Sequence, residues 1–215
     1  DDRTSRGLGD VYKRQEHYAG NFVTSGFGNG VITLNVLEAD DAARAAMQSE
    51  MLEPYRTLLG HFRHESGHYY WSLMSHDAAI SDAFADLLGD PNKDYAGSLE
   101  RYYETGPPSD WQDGYISAYA TAHPLEDWAE TWGHYLHMLD ALETAHAHQL
   151  LDKDGTTMNM SERIAAWQQV SVMLNEMNRS VGGSDAYPFT ISTGVARKLE
   201  LVDGAMGYLQ RRQTG

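Results

Sequence analysis

Two histidines four residues apart, with a glutamate directly after the first, form the most reactive arrangement in the chain. They lie in the segment His64-Glu65-Ser66-Gly67-His68. On a helix, residues four apart share one face, so both imidazoles can reach a single metal ion and Glu65 can face its open coordination position. There the glutamate can take a proton from water whose pKa the ion lowers. The spacing therefore predicts a zinc site that performs hydrolysis at neutral pH.

A site with two histidines requires a third ligand, and residues 124–137 supply candidates. When this segment is projected on a helix, an apolar stripe lies on one side, whereas Glu126, Glu130, His134 and His137 gather on another. Glu126 and Glu130 are four residues apart, so one can bind the metal while the other accepts a hydrogen bond from a ligand histidine. We assign Glu126 to the metal and Glu130 to the histidine. The pattern is also typical of a solvated helix face with ordinary i,i+4 pairs.

Two further polar side chains lie near these segments. Tyr119 lies seven residues before Glu126 and ahead of the predicted helix start. From a loop, its hydroxyl can donate to an oxyanion that develops opposite the zinc, although a packed aromatic side chain is the alternative interpretation. His61 falls on the same side of its helix as the motif. We interpret His61 as a residue that supports the site or lines its groove, rather than as a ligand.

Two long helices must position these residues. The first is predicted to begin at Pro54, where a first helical turn tolerates proline, and to end near Ser75. The second is predicted to run from Pro124 to about Leu151. Five shorter helices are expected from capping residues and glycine stops. Three are predicted at 40–50, at 161–179 with Ser161 as its cap, and at 193–210. The other two are predicted to end at Gly89 and at Gly106.

A small β element is expected near the N-terminus. Two apolar stretches flank a glycine-rich cluster at residues 26–30, and the second, residues 31–36, has strong β character. This predicts a strand pair. The second strand either borders the cleft, where an exposed edge can pair with an extended peptide, or belongs to an ordinary core hairpin. Residues 1–15 are expected to be a non-native or disordered leader, and residues 16–215 a single domain.

Composition limits the classes of metal site and partner. The chain has no cysteine, so a metal must bind to His, Asp or Glu side chains. The net charge of -15 argues against binding nucleic acid or anionic membranes by charge attraction. The sequence shows neither an apolar run long enough to cross a bilayer nor a signal peptide, which favours a cytoplasmic location. Oligomeric state stays open.

Several separated motifs resemble the bacterial family of putative zinc-binding metallopeptidases. The likeness covers roughly residues 30–201 and rests on residues 55–71, Gly106-Pro107-Pro108-Ser109-Asp110-Trp111, Ser117-Ala118-Tyr119-Ala120, residues 123–130 and Asp185-Ala186-Tyr187-Pro188-Phe189. The arrangement of Tyr119, Glu126 and Glu130 also resembles the gluzincin class, which includes thermolysin and the lethal-factor toxin. In that class the first glutamate of such a pair is the third zinc ligand, and in lethal factor a tyrosine seven residues upstream assists.

The resemblance implies a fold, a site and a function. The expected fold class is α+β and predominantly helical, a zincin-like metallopeptidase domain with a small N-terminal β element. The implied site has zinc on His64, His68 and Glu126, with Glu65 as general base, Glu130 behind a ligand histidine and Tyr119 as oxyanion donor. Family members often carry a cysteine zinc-ribbon segment upstream; this chain has no cysteine, so that segment is expected to be absent or truncated.

Three functions remain compatible with these residues. The first is a zinc metallopeptidase acting on peptide or protein substrates. The second is a zinc hydrolase of a non-peptide amide or ester, because the same chemistry serves both. The third is a non-catalytic scaffold with structural zinc, which a fourth protein ligand such as His123 or His134 would favour.

Overall fold

The computed structural model describes residues 25–40 and 57–213, and its first element is a short hairpin. Strand β1 (Gly26–Gly28) pairs antiparallel with β2 (Val31–Thr33). Asn29 and Gly30 connect them with positive φ angles of 51° and 78°, as a two-residue hairpin turn requires. A 3-10 turn, Val36–Ala39, follows. The predicted strand pair is thus confirmed, although β2 ends three residues before the predicted limit.

Six α-helices follow in the described part of the chain. They are α1 (Leu58–Met74), α2 (Ala78–Leu88), α3 (Tyr95–Thr105), α4 (Pro124–Ala147), α5 (Met160–Ser180) and α6 (Thr193–Gln213). The expected fold class, a predominantly helical zincin-like domain with a small N-terminal β element, is therefore confirmed. None of these helices combines the length and the apolar character needed to cross a bilayer. The helix predicted at 40–50 lies outside the described residues.

The start of α1 is set by a capping side chain. Thr57 has an extended backbone, and its hydroxyl accepts a hydrogen bond from the Gly60 N–H at 2.9 Å. Such a cap satisfies one of the N–H groups that a helix start leaves without a partner. The helix therefore begins at Leu58, and the start predicted at Pro54, which lies outside the described residues, was wrong.

Three other predicted boundaries also differ from the structure, two of them for identifiable local reasons. Helix α5 is capped by Asn159, whose side chain accepts the Glu162 N–H while Glu162 accepts the N–H of Asn159. This reciprocal capping box places the predicted cap, Ser161, inside the helix. Helix α4 ends at Ala147 rather than near residue 151, because Gln149 takes a left-handed φ of 60° that turns the chain. Helix α6 extends three residues beyond its predicted end.

Helix α1 crosses α4, and this crossing carries the site. Trp128 and Trp132 of α4 are almost fully buried against it. The Trp128 indole N–H donates to the Gly67 carbonyl at 2.9 Å, and the Trp132 indole N–H donates to the Ser66 hydroxyl at 3.1 Å. Both acceptors belong to the histidine motif itself. The apolar stripe of α4 therefore holds the motif in place by packing and by two buried hydrogen bonds.

Gly67 permits this close crossing. A Cβ atom at this position would lie 3.0 Å from the Ala129 Cα and 3.1 Å from the Trp132 Cβ. Overpacking of that kind typically costs about 1–3 kcal/mol, which exceeds the gain of up to about 1 kcal/mol from better helix propensity. We expect Gly67→Ala to lower the free energy of unfolding, as measured by urea denaturation of the zinc-free protein.

The matched control is Gly133→Ala, on the facing helix. A Cβ there would meet the His64 backbone nitrogen at 3.5 Å, an ordinary contact, so we expect unchanged or higher stability. Equal urea midpoints for the two variants would contradict the close approach at Gly67.

A buried ion pair fixes the first turn of α4, which carries Glu126. Lys198 of α6 donates to the Asp127 carboxylate and to the Gly114 carbonyl, both at 2.6 Å. Its ammonium group also lies 3.9 Å from the centre of the Tyr115 ring. Because Asp127 follows Glu126 directly, this anchor restrains the backbone from which the Glu126 side chain extends.

Candidate metal centre

Three side chains from the two crossing helices converge at one point. The Nε2 atoms of His64 and His68 lie 3.2 Å apart. The Glu126 carboxylate places Oε2 at 3.1 Å from the His64 Nε2 and Oε1 at 3.4 Å from the His68 Nε2. Among the described residues, these three side chains form the group of metal-binding residue types that lies close enough together to bind one ion.

The separations among these atoms fit a tetrahedral zinc ion. Zinc binds imidazole nitrogen and carboxylate oxygen at about 2.0–2.1 Å, so tetrahedral ligand atoms stand roughly 3.3–3.4 Å from each other. The observed separations of 3.1–3.4 Å are of that size, with the His64 nitrogen nearest one oxygen of the Glu126 carboxylate and the His68 nitrogen nearest the other. The group can therefore bind one ion with only small adjustments of the side chains, and the ion would keep a fourth position for water or substrate.

The charge balance of the centre also favours a cation. Burial alone would lower the pKa of His64, but the hydrogen bonds to Glu126 and Glu130 outweigh burial and hold this pKa well above 6.5. Burial would likewise raise the pKa of Glu126, yet its hydrogen bonds to His64 and His68 keep that pKa well below 4.5. Carboxylates that favour a positive charge on His64 also favour a bound cation at the same place.

Glu130 fixes the orientation of the first histidine. Its Oε1 lies 2.6 Å from the His64 Nδ1, and its Oε2 accepts a hydrogen bond from the Ser117 hydroxyl at 2.5 Å. A carboxylate on Nδ1 leaves Nε2 as the metal-binding nitrogen and raises its basicity. Burial raises the pKa of Glu130, but the hydrogen bond and charge of His64 together with the hydrogen bond from Ser117 outweigh burial and lower this pKa to about 2.

We expect Glu130→Gln to weaken zinc binding about 10–100-fold, because a neutral amide holds the imidazole less firmly and reduces its basicity. The measurement is a competition titration with a chromophoric chelator at pH 7. The control is Glu200→Gln, an exposed glutamate on α6. An unchanged zinc affinity for Glu130→Gln would show that this contact does not support the metal.

Tyr95 makes a contact that sequence reasoning missed. Its hydroxyl donates to the Glu126 Oε1 at 2.6 Å, from the first residue of α3. The Asp94 side chain caps this helix, and so sets where Tyr95 lies. The two residues are 31 positions apart in different elements, so no periodicity connects them. The hydrogen bond orients the carboxylate toward the two imidazoles.

Glu65 lies beside the candidate ligands and is 5 % exposed. Its Oε1 is 3.2 Å from the Nε2 of His61, one helical turn earlier. His61 was predicted to support the site or line its groove, and the structure places it against Glu65 and in the lining of the cleft.

Tyr119 begins a 3-10 turn, Tyr119–Thr121, just ahead of α4. Its ring centre lies 6.1 Å from that of His64 and 5.6 Å from that of Tyr102. Burial, and then the nearby charge of Glu126, raise the pKa of Tyr119 above 10, so its hydroxyl carries a proton at neutral pH. The role of this hydroxyl as a hydrogen-bond donor to the oxyanion stays a prediction.

The two histidines named as possible fourth ligands are engaged elsewhere. His123 caps α4: its Nδ1 accepts the Leu125 N–H at 3.1 Å, and its Nε2 lies 3.0 Å from the Lys93 carbonyl. The Nδ1 of His134 lies 2.8 Å from the Tyr187 hydroxyl, and burial lowers the pKa of His134 to about 4. The protein ligands brought together therefore number three among the described residues.

An open cleft of about 900 Å³ surrounds the centre. Aromatic side chains line much of it, including Phe27, Tyr95, Tyr102, Tyr103, Trp111 and Phe189. The strand at its edge is β1, through Gly26 and Phe27, and no residue of β2 lines the cleft, so of the two alternatives for the second strand the structure does not favour the one in which it borders the cleft. Val31 of β2 instead points outward and is 61 % exposed.

The chain is similar to a family described as zinc-binding peptidases and to uncharacterized mycobacterial proteins. A family model described as "Putative zinc-binding metallo-peptidase" matches residues 2–205. Proteins titled uncharacterized from Mycobacterium bovis and from two strains of Mycobacterium tuberculosis are 46% identical over 188 residues, which is 84% of this chain and 55% of each relative. The chain thus spans about half the length of these curated relatives. No solved structure matches it significantly.

Proposed function

The chain belongs to the family described as putative zinc-binding metallo-peptidases, and from this premise we propose that it is a zinc-dependent metallopeptidase that hydrolyses peptide bonds. The observation that carries the proposal is the convergence of His64, His68 and Glu126, whose ligand atoms lie within 4.8 Å of one another, beside Glu65 in an open cleft. Peptide or protein is the proposed substrate.

Each of the site's side chains has a separate role in such a reaction. Zinc, when bound, lowers the pKa of a water molecule and polarises the substrate carbonyl. Glu65 accepts the proton of the attacking water and passes it to the departing amine. Tyr119 donates a hydrogen bond to the oxygen of the tetrahedral species. Glu130 keeps the imidazole of His64 in the tautomer that binds through Nε2.

The number of protein ligands supports catalysis over a structural role. Structural zinc sites are usually closed by four protein ligands, whereas catalytic sites keep one position open. Among the described residues three candidate ligands face a cleft, and the two histidines considered as a fourth ligand bind to other groups. The non-catalytic scaffold is therefore the weaker alternative.

The test is hydrolysis of a mixed peptide library by the zinc-loaded protein, with products identified by mass spectrometry. We expect one zinc per chain, cleavage at defined bonds, loss of cleavage after chelation and recovery when zinc is restored. A zinc-loaded protein that hydrolyses model esters or small amides but no peptide would assign the second function. A protein that holds zinc and hydrolyses none of these substrates would refute the proposal.

A further inference from the structure

His61 lies between Glu65, the proposed general base, and Glu38, a buried carboxylate in the 3-10 turn that follows the hairpin. Its Nδ1 lies 2.6 Å from the Glu38 Oε2, and its Nε2 lies 3.2 Å from the Glu65 Oε1. Both ring nitrogens are therefore engaged by carboxylates, and neither is directed to the metal ligands. His61 is one helical turn before Glu65 on α1, which places the two side chains on the same face.

Glu38 is itself held in place. It is 3 % exposed, and its Oε1 accepts a hydrogen bond from the Ser25 hydroxyl at 2.7 Å. The Ser25 hydroxyl in turn accepts the Asn35 N–H at 2.7 Å, and the Glu38 N–H donates to the Asn35 carbonyl at 2.9 Å. These bonds lock the residues on both sides of the hairpin around one carboxylate. A carboxylate that is buried so completely and bound at both oxygens is a rigid anchor rather than a solvated surface charge.

We propose that Glu38 and His61 form a positioning relay that holds the Glu65 carboxylate in its reactive orientation. The proposal rests on the proposed function, since it concerns the same glutamate. Glu65 has a flexible side chain, and one oxygen held by His61 fixes the direction in which the other oxygen can face. The hairpin and the 3-10 turn that follows it supply none of the candidate ligands, and they thereby gain a role in the reaction.

The charge state of His61 is compatible with this arrangement. Burial would lower its pKa, but the hydrogen bonds to Glu38 and Glu65 outweigh burial and raise the pKa to about 9. At neutral pH both ring nitrogens therefore carry protons, and each can donate to its carboxylate. A neutral ring has one donor and could hold only one of the two carboxylates in this way.

The kinetic test uses His61→Ala and Glu38→Gln in the zinc-loaded full chain, with a peptide identified from the library. A misplacement of about 1 Å at a reacting group can cost about 100-fold. We expect kcat to fall about 10–100-fold in both variants, whereas KM and zinc content stay within about twofold of wild type. His76→Ala, an exposed histidine just after α1, is the control and should leave all three unchanged.

A double-mutant cycle separates positioning from general damage. In the Glu65→Gln background, the reactive carboxylate is already absent, so adding His61→Ala should change kcat less than twofold. If His61→Ala lowers kcat by the same factor in the Glu65→Gln background as in the wild type, the two residues act independently and the relay is refuted. A kcat within twofold of wild type for His61→Ala alone would also refute it.

A spectroscopic test does not depend on hydrolysis. The imidazole nitrogens of His61 in the ¹⁵N-labelled, zinc-loaded protein should shift on Glu65→Gln and on Glu38→Gln, but not on Glu176→Gln. Shifts in both variants would support the contacts of the relay even if no peptide were cleaved, in which case only the peptidase proposal would fail. Unchanged His61 resonances in Glu65→Gln would overturn the relay, whatever the activity of the wild type.

Discussion

Replacing Glu65 with glutamine is expected to lower kcat for a cleavable peptide by roughly 10²–10⁴-fold while zinc stays bound, because the amide cannot accept the proton of the attacking water. Glutamine has nearly the shape of glutamate and is not a candidate ligand here, so the metal set of two histidines and Glu126 is preserved. The measurements are single-peptide kinetics at saturating substrate and zinc content by atomic emission.

Glu176→Gln is the matched control for this substitution, because Glu176 is exposed on α5 and lies outside the cleft. It should retain wild-type kcat. If Glu65→Gln cleaves at the wild-type rate with zinc bound, Glu65 is not the general base. If the variant loses zinc as well as activity, the loss of rate cannot be attributed to proton transfer, and the general-base role is then unsupported by this result.

Glu126→Gln is expected to lose zinc. Glu126 is 1 % exposed and supplies the only carboxylate of the described ligand group. A neutral amide is a much weaker zinc ligand than a carboxylate, so the loss should exceed the roughly 10–100-fold typical of residues that only support a ligand. The order of zinc affinities should therefore be wild type, then Glu130→Gln, then Glu126→Gln.

Thermal or urea unfolding gives a second readout of the same substitution. At a free zinc concentration 100-fold above Kd, binding stabilises the folded protein by about 2.7 kcal/mol. If Kd rises to that concentration or beyond, the stabilisation falls to about 0.4 kcal/mol or less. We expect wild type and the control Glu143→Gln, exposed on the same helix, to gain stability with zinc, whereas Glu126→Gln gains little. A Glu126→Gln variant with wild-type affinity would remove Glu126 from the ligand set.

Much of the fold follows from local signals in the chain. The glycine at the end of α2, the glycine at the end of α3 and Pro124 at the start of α4 mark the predicted boundaries, because each acts through its own backbone. The starts of α1 and α5 were misjudged for a related reason. Several residues near each start can serve as a cap, and which of them is used depends on side-chain hydrogen bonds that the residue types alone do not reveal.

The contacts around the metal centre could not be predicted from such local signals. Tyr95 reaches Glu126 across 31 positions, and Glu38 reaches His61 across 23. Neither pair lies within one helix or strand, so no repeat of 3.6 or 2 residues relates their side chains. Such pairs become neighbours only when α3 and the hairpin pack against the two long helices.

The sequence by itself determined that two histidines share one face of a helix and that Glu126 and Glu130 share one face of another, because helix periodicity sets the direction of side chains within an element. The family resemblance supported Glu126 as the ligand, but spacing by itself could not distinguish the two glutamates, since each can face either nitrogen of a histidine on a separate helix. That choice was decided by the crossing of α1 and α4. The close approach at Gly67 and the indole hydrogen bonds of Trp128 and Trp132 set the crossing so that Glu126 lies at both Nε2 atoms and Glu130 at the far nitrogen of His64.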